Sequence, residues 1–233
     1  MAKGAPKDPE QLLLELPIKE ALAKEDFLPS KSNEEAVSWI GNWPNWNDGH
    51  CLILYGPTGC GKTHLCHVWQ KMTGAQVIKL DQLQSFDFTS NENFLIIIED
   101  VLENLENQQS QENLLHLYNW VMEHGGYLLL TSIEHPKKWS IDLADLSSRL
   151  LAANAVKIKE PDDELLKAVI VKQFADRQVK ISEKVLKYIM KNTERSFSAI
   201  RDLVADVDEI SLIEKKKITS AIVKRALGEK VEK

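Results

Sequence analysis

Cysteine is scarce in this 233-residue chain. The three present, Cys51, Cys60 and Cys66, fall in one short stretch with neither metal-ligand spacing nor a disulfide-framework pattern. They suit a reduced, cytoplasmic setting. Excess positive charge is missing too, since 35 Asp and Glu outnumber 29 Lys and Arg for a formal charge of −6. That balance argues against a surface devoted to nucleic acid, because phosphate-backbone binding draws its affinity from clustered Lys and Arg. No apolar run reaches membrane-spanning length; the longest, such as residues 94–98, have the length of a buried strand. Residues 1–10 are charged and proline-punctuated, and only a few leucines follow, so the apolar stretch of a signal peptide is not expected. Repeats are absent, and the polar stretch 104–113 reads as a surface turn and helix start.

What is present is enough apolar content, 43%, for a packed core. Short apolar runs at residues 51–55, 77–80, 94–98, 127–131 and 156–158 alternate with helical stretches at 34–40, 62–72, about 109–124 and a shorter one ending near Leu150. Strands alternating with helices imply a parallel sheet covered on both faces. After Pro161 no strand-like run remains. Apolar residues recur instead at helical spacing: Leu165, Val169 and Val171, then Val185 and Ile189, then Ile200, Leu203 and Val207. The expectation is an α/β phosphate-loop core over residues 25–160 and a small all-helical domain over 161–233, with Asp162 or Asp163 capping its first helix and Ser182 its second.

Between the run 51–55 and the helical pattern from Lys62 stands Gly56-Pro57-Thr58-Gly59-Cys60-Gly61-Lys62-Thr63, a complete GxxxxGKT phosphate loop. Glycines let successive backbone N–H groups turn toward an anion with no Cβ in the way. Lys62 reaches for the outer phosphates, and the Thr63 hydroxyl is offered to Mg²⁺. The helix that follows adds the positive end of its dipole. A nucleoside triphosphate or diphosphate with Mg²⁺ is the expected ligand. Cys60 occupies a variable position of the loop and reads as small filler, although a thiol beside a helix N-terminus is oxidation-prone where exposed.

About forty residues downstream the strand 94–98 ends in Glu99-Asp100, which resembles a Walker B pair. The usual order puts Asp first, on the metal, and then Asp or Glu, positioning water. Here the extra methylene of Glu99 displaces its carboxylate and Asp100 is short, so weak intrinsic hydrolysis is expected. Thr131 and Ser132 end a further strand, either as polar sensors of the γ-phosphate or as turn formers. Arg149, in Leu146-Ser147-Ser148-Arg149-Leu150, is either a surface arginine or a guanidinium that forks across the oxygens of a transferring phosphoryl group. Arg201 lies on a later helix beside Asp202, either as a charged helix face or as a phosphate contact.

The segment 25–36, the loop continuing Thr63-His64-Leu65, the Thr131-Ser132 strand end followed by Pro136-Lys137, and Ser148-Arg149 together resemble the AAA+ module of the bacterial replication initiator DnaA. Without a following helix-turn-helix domain, such a module is similar to the Hda family of DnaA regulators; Trp43-Pro44-Asn45-Trp46 has the same likeness. Gln11-Leu12-Leu13-Leu14-Glu15-Leu16 resembles the peptide by which that family grips the replicative sliding clamp, with Gln11, Leu12, Leu14 and Leu16 as contacts in a tether over 1–24. Glu15 stands where the family peptide usually has proline.

The resemblance implies an AAA+ fold with a helical lid, Arg149 as an arginine finger acting in trans, and Arg201 as second sensor. It also implies Leu28 and Asn33 near the adenine, and DnaA and the clamp as partners. Self-association is possible, and neither sequence-specific DNA binding nor a membrane is implied. The location implied is the bacterial cytoplasm, at the nucleoid through the clamp. Two rival readings stand beside it, a DNA-loading ATPase of the helicase-loader or transposition-helper kind and a non-hydrolytic nucleotide-dependent adaptor.

Overall fold

Cys51–Tyr55 is apolar at every position and almost wholly buried, as befits the interior strand of a sheet covered on both sides. The computed structural model describes residues 29–46, 49–88 and 92–228. The tether, the clamp-type peptide with Gln11, Leu12, Leu14 and Leu16, and Leu28 lie outside the described residues. The strands are β1 (Cys51–Tyr55), β2 (Gln76–Val77), β3 (Leu95–Ile98), β4 (Tyr127–Ser132) and β5 (Asn154–Lys157). They form one sheet in the order β2-β3-β4-β1-β5, so β4 is inserted between β3 and β1. β4 runs parallel to both neighbours, with Leu54 opposite Thr131, Tyr55 opposite Ser132 and Ile98 opposite Leu130. This register brings the polar ends of three strands to one edge, the place where open α/β sheets bind ligands.

The helices with the sheet are α1 (Glu34–Gly41), α2 (Lys62–Thr73), α3 (Gln108–Glu123) and α4 (Ala144–Ala152). The C-terminal helices are α5 (Asp163–Asp176), α6 (Glu183–Asn192), α7 (Phe197–Glu214) and α8 (Ser220–Ala226). Side-chain caps fix several starts: Asn107 accepts the Ser110 N–H, Asp162 that of Leu165, Ser182 that of Val185 and Ser196 that of Ala199. Each such cap is worth about 1 kcal/mol. α7 ends where Lys215 adopts a left-handed backbone, φ 53°.

Two units result. One comprises Glu35–Tyr55 and Thr63–Val156; the other comprises residues 29–34, Gly56–Lys62 and 157–228. The phosphate loop therefore groups with the helical unit. In the first unit Ile53, Ile96, Ile98, Leu128 and Leu130 meet Leu114, Leu117 and Val121 of α3. The second has its own core of Leu166, Ile170, Phe174, Val185, Ile189, Val204, Val207 and Val223.

Three expectations need correction. β2 is shorter than the run 77–80, because Leu80 opens a 3-10 turn, Leu80–Ser85, in which Leu80 and Leu83 are buried three residues apart. The last strand is Asn154–Lys157, not 156–158. Val171 is not core: Leu166, Ile170 and Phe174 make the buried i, i+4, i+8 stripe of α5, and Val171, one residue past it, is 48% exposed.

Candidate functional site

The phosphate loop leaves β1 after Tyr55 and enters α2 at Lys62, and its backbone needs glycine. Gly59 has φ +74° and Gly61 φ +105°, both in the region that other L-residues avoid. Space is equally restrictive at Gly56, where a Cβ would lie 2.2 Å from the Ile158 carbonyl oxygen, and at Gly59, where it would lie 2.6 Å from Ser196 Cβ. Lys62 is buried, and its Nζ donates to the carbonyls of Gly56 at 2.9 Å and Pro57 at 3.1 Å. The Cys60 N–H closes the turn onto the Pro57 carbonyl at 3.3 Å. Such a small-residue cradle around a buried ammonium fits an anionic phosphate chain.

The start of α7 backs this loop. The Phe197 N–H donates to the Gly59 carbonyl at 3.0 Å, the Ser198 hydroxyl approaches the position of a Gly59 Cβ at 2.9 Å, and the Phe197 ring stands next to Gly61. Arg201, one turn further along α7, is exposed, and its Nε donates weakly to Asp202 at 3.5 Å. Arg195 was not anticipated from the sequence. It adjoins the Ser196 that abuts Gly59 and is ion-paired with Asp163. Asn33 is buried, and its side-chain oxygen accepts the Ser30 N–H at 2.8 Å, so it orders its own turn.

In the sheet unit, Glu99 and Asp100 follow β3. Asp100 takes a left-handed backbone, φ 47° and ψ 51°, a conformation that Asp tolerates better than most residues. Its N–H donates to the Thr131 hydroxyl at 2.8 Å, and Thr131 is fully buried. Ser132, also buried, accepts the Glu134 N–H at 3.1 Å. Both hydroxyls therefore shape backbone, and each keeps its own O–H to donate. Thr131→Val retains the shape of the side chain while orphaning the Asp100 amide. We expect a stability loss of about 1–3 kcal/mol, to be read from urea denaturation with the m-value unchanged.

The three cysteines are buried, and burial pushes the Cys51 thiol far above its ordinary range. The filler reading of Cys60 therefore prevails over the reactive one. All three thiols are expected to resist iodoacetamide at pH 7.5 in the folded protein and to react in guanidinium, as mass spectrometry would show. No cluster of three or more His, Cys, Asp or Glu side chains that could hold a metal exists among the described residues.

Arg149 sits on α4 with its guanidinium forked on Asp145: Nε donates to Oδ1 at 3.1 Å and an Nη to Oδ2 at 3.2 Å. Its Cζ lies 5.7 Å from the centre of the Tyr118 ring on α3. The Tyr118 phenol is pushed up to about 12, chiefly by burial, with Arg149 pulling the other way.

A parallel sheet with an inserted strand between the two acidic and glycine-rich strand ends, followed by a helical lid, defines an AAA+ fold. Residues 162–227 match the family model described as the Hda lid domain. The chain is 22% identical over 230 residues to the chromosomal replication initiator protein DnaA of Flavobacterium psychrophilum, covering 87% of this chain and 47% of that protein. It thus spans about half the length of that relative. Among solved structures, domain III of the Thermotoga maritima replication initiation protein DnaA superposes with TM-score 0.75 at 19% identity, covering 96% of this chain and 98% of that one. AMPPCP-bound DnaA from Aquifex aeolicus superposes with TM-score 0.66 at 18% identity, covering 82% and 65%. The chain is thus similar to DnaA in sequence and shares the AAA+ fold, and the match of residues 162–227 to the Hda lid upholds the resemblance to the Hda family. Among the described residues no helix is long and apolar enough to cross a membrane.

Proposed function

We propose that this chain is a nucleotide-binding regulator of replication initiation that docks on the sliding clamp and promotes hydrolysis of ATP held by DnaA. The observation that carries this reading is the Hda lid match over residues 162–227, in a chain whose phosphate loop is backed by the first helix turn of that same lid segment. The relative in the Aquifex structure holds AMPPCP, which supports ATP or ADP as the ligand here.

The loop amides of residues 57–61 and Lys62 hold the phosphates, with Thr63 and Glu99 serving Mg²⁺. When bound, the nucleotide supplies the negative charge that these donors face. The Glu99-Asp100 order suits a resident ligand more than rapid turnover. Arg195 or Arg201 of the lid reports on the phosphates, while Leu28 and Asn33 lie toward the base. Arg149 completes the catalytic centre of a neighbouring DnaA, where a fixed cation offsets the charge developing on the transferring phosphoryl group. Gln11, Leu12, Leu14 and Leu16 hold the clamp, which places the regulator on replicated DNA.

The test is to mix the purified chain with clamp-loaded DNA and ATP-charged DnaA and follow ADP production. Acceleration that depends on both clamp and chain is expected. Hydrolysis stimulated by DNA alone, without DnaA, would instead favour a DNA-loading ATPase.

A further inference from the structure

The surroundings of Arg149 go beyond what a surface arginine requires. Asp145 precedes it by one helical turn, with the acid on the N-terminal side, the favourable orientation for an i, i+4 pair. Both carboxylate oxygens are engaged, each by a different guanidinium nitrogen, so the pair is a planar fork and not a single-point contact. The fork uses the Nε edge. The Asp145 fork leaves the other Nη nitrogen, with its N–H donors, outside the ion pair. The Tyr118 ring, from a different helix, lies against the guanidinium at cation–π distance. Two contacts from two elements thus restrict a side chain that has several rotatable bonds and is 37% exposed.

Resting on the proposed finger role, the geometry points to Asp145 as the positioning residue of Arg149, with Tyr118 as its backstop: the pair presents the guanidinium in a docking-ready orientation. An unrestrained arginine must be ordered each time it enters a partner's site, and misplacement of about an ångström at a reacting centre costs on the order of 10²-fold in rate. An exposed pair supplies only part of that restraint. Asp145 touches neither nucleotide nor partner in this scheme and acts only through Arg149.

The proposal separates Asp145 from a residue that merely supports α4. Asp145→Ala is expected to lower the maximal rate of stimulated ADP production by about 5–20-fold, within the limit set by imperfect orientation. The half-saturating concentration of the chain and its own nucleotide affinity should be unchanged. Asp145→Glu, which keeps the carboxylate, recovers most of the rate. In an Arg149→Ala background, Asp145→Ala lowers the residual rate no further, as expected of residues that act as a unit.

An Asp145→Ala rate equal to or above wild type overturns the positioning role, as does an equal fractional loss with and without Arg149. Arg149→Ala separates the two layers of the argument. If it is inactive while Asp145→Ala is normal, only the present inference falls; if it stimulates fully, the finger assignment falls with it.

Discussion

Arg149→Ala should bind nucleotide and clamp normally yet lose nearly all stimulation of DnaA-bound ATP hydrolysis. A finger supplied in trans is worth roughly 10³ to 10⁵ in rate, or ~4–7 kcal/mol of barrier, so the loss should reach the intrinsic rate of DnaA. No comparable loss of stability is expected. The side chain is partly exposed and its ion pair with Asp145 lies on the surface, where such pairs contribute ~0–1 kcal/mol. Arg149→Lys sharpens the test, because an ammonium keeps the charge but cannot fork across two oxygens. It should resemble the alanine variant more than the wild type. ADP production in the reconstituted mixture measures all three proteins, and full stimulation by Arg149→Ala would refute the assignment.

The second large effect is expected at Lys62. Its ammonium is buried between two loop carbonyls, so it is held in place by hydrogen bonds that water does not compete for freely. Facing a bound phosphate chain this ammonium would make a buried charge pair, and because removing one partner of such a pair costs about 3–5 kcal/mol, Lys62→Ala should weaken ADP and ATP binding by about 10²- to 5 × 10³-fold. A thermal shift makes this visible. Nucleotide at 100 times the wild-type Kd stabilises the fold by about 2.7 kcal/mol, whereas a variant weakened 100-fold gains only ~0.4 kcal/mol at the same concentration. Equal shifts in the two proteins would remove the loop from the binding site.

Much of this architecture could be read from residues because the informative features are local. The phosphate loop is contiguous, and its glycines serve as the motif requires: Gly59 and Gly61 have positive φ, and Gly56 and Gly59 have no room for a Cβ. Strand ends at Glu99 and Ser132 followed from apolar runs that stop at a polar residue, and the caps at Ser182 and at one of the adjacent pair Asp162 and Asp163 from their position before apolar periodicity, the structure selecting Asp162. The hydrogen bond from Asp100 to Thr131 was not legible, because it depends on a left-handed backbone that no neighbouring residue announces. Arg195 escaped notice for a related reason. Its interest comes from Ser196 lying against Gly59, a contact between segments far apart in sequence. The Asp145 partner of Arg149, by contrast, stood in plain view at i−4 spacing. Val171 fell off its stripe because hydrophobicity alone does not say which of two adjacent apolar residues faces inward.

One main-chain contact has a consequence for the lid. The first amides of any helix have no acceptor within their own coil. On α7 the Ser196 side chain serves Ala199, while Phe197 turns outward to the carbonyl of Gly59. The glycine-rich bend therefore finishes the end of a helix that begins far away in the sequence. A side chain added at Gly59 would push on Ser196 and strip an amide of its acceptor in the same stroke, so damage to the cradle would also unravel the first coil of the neighbouring helix.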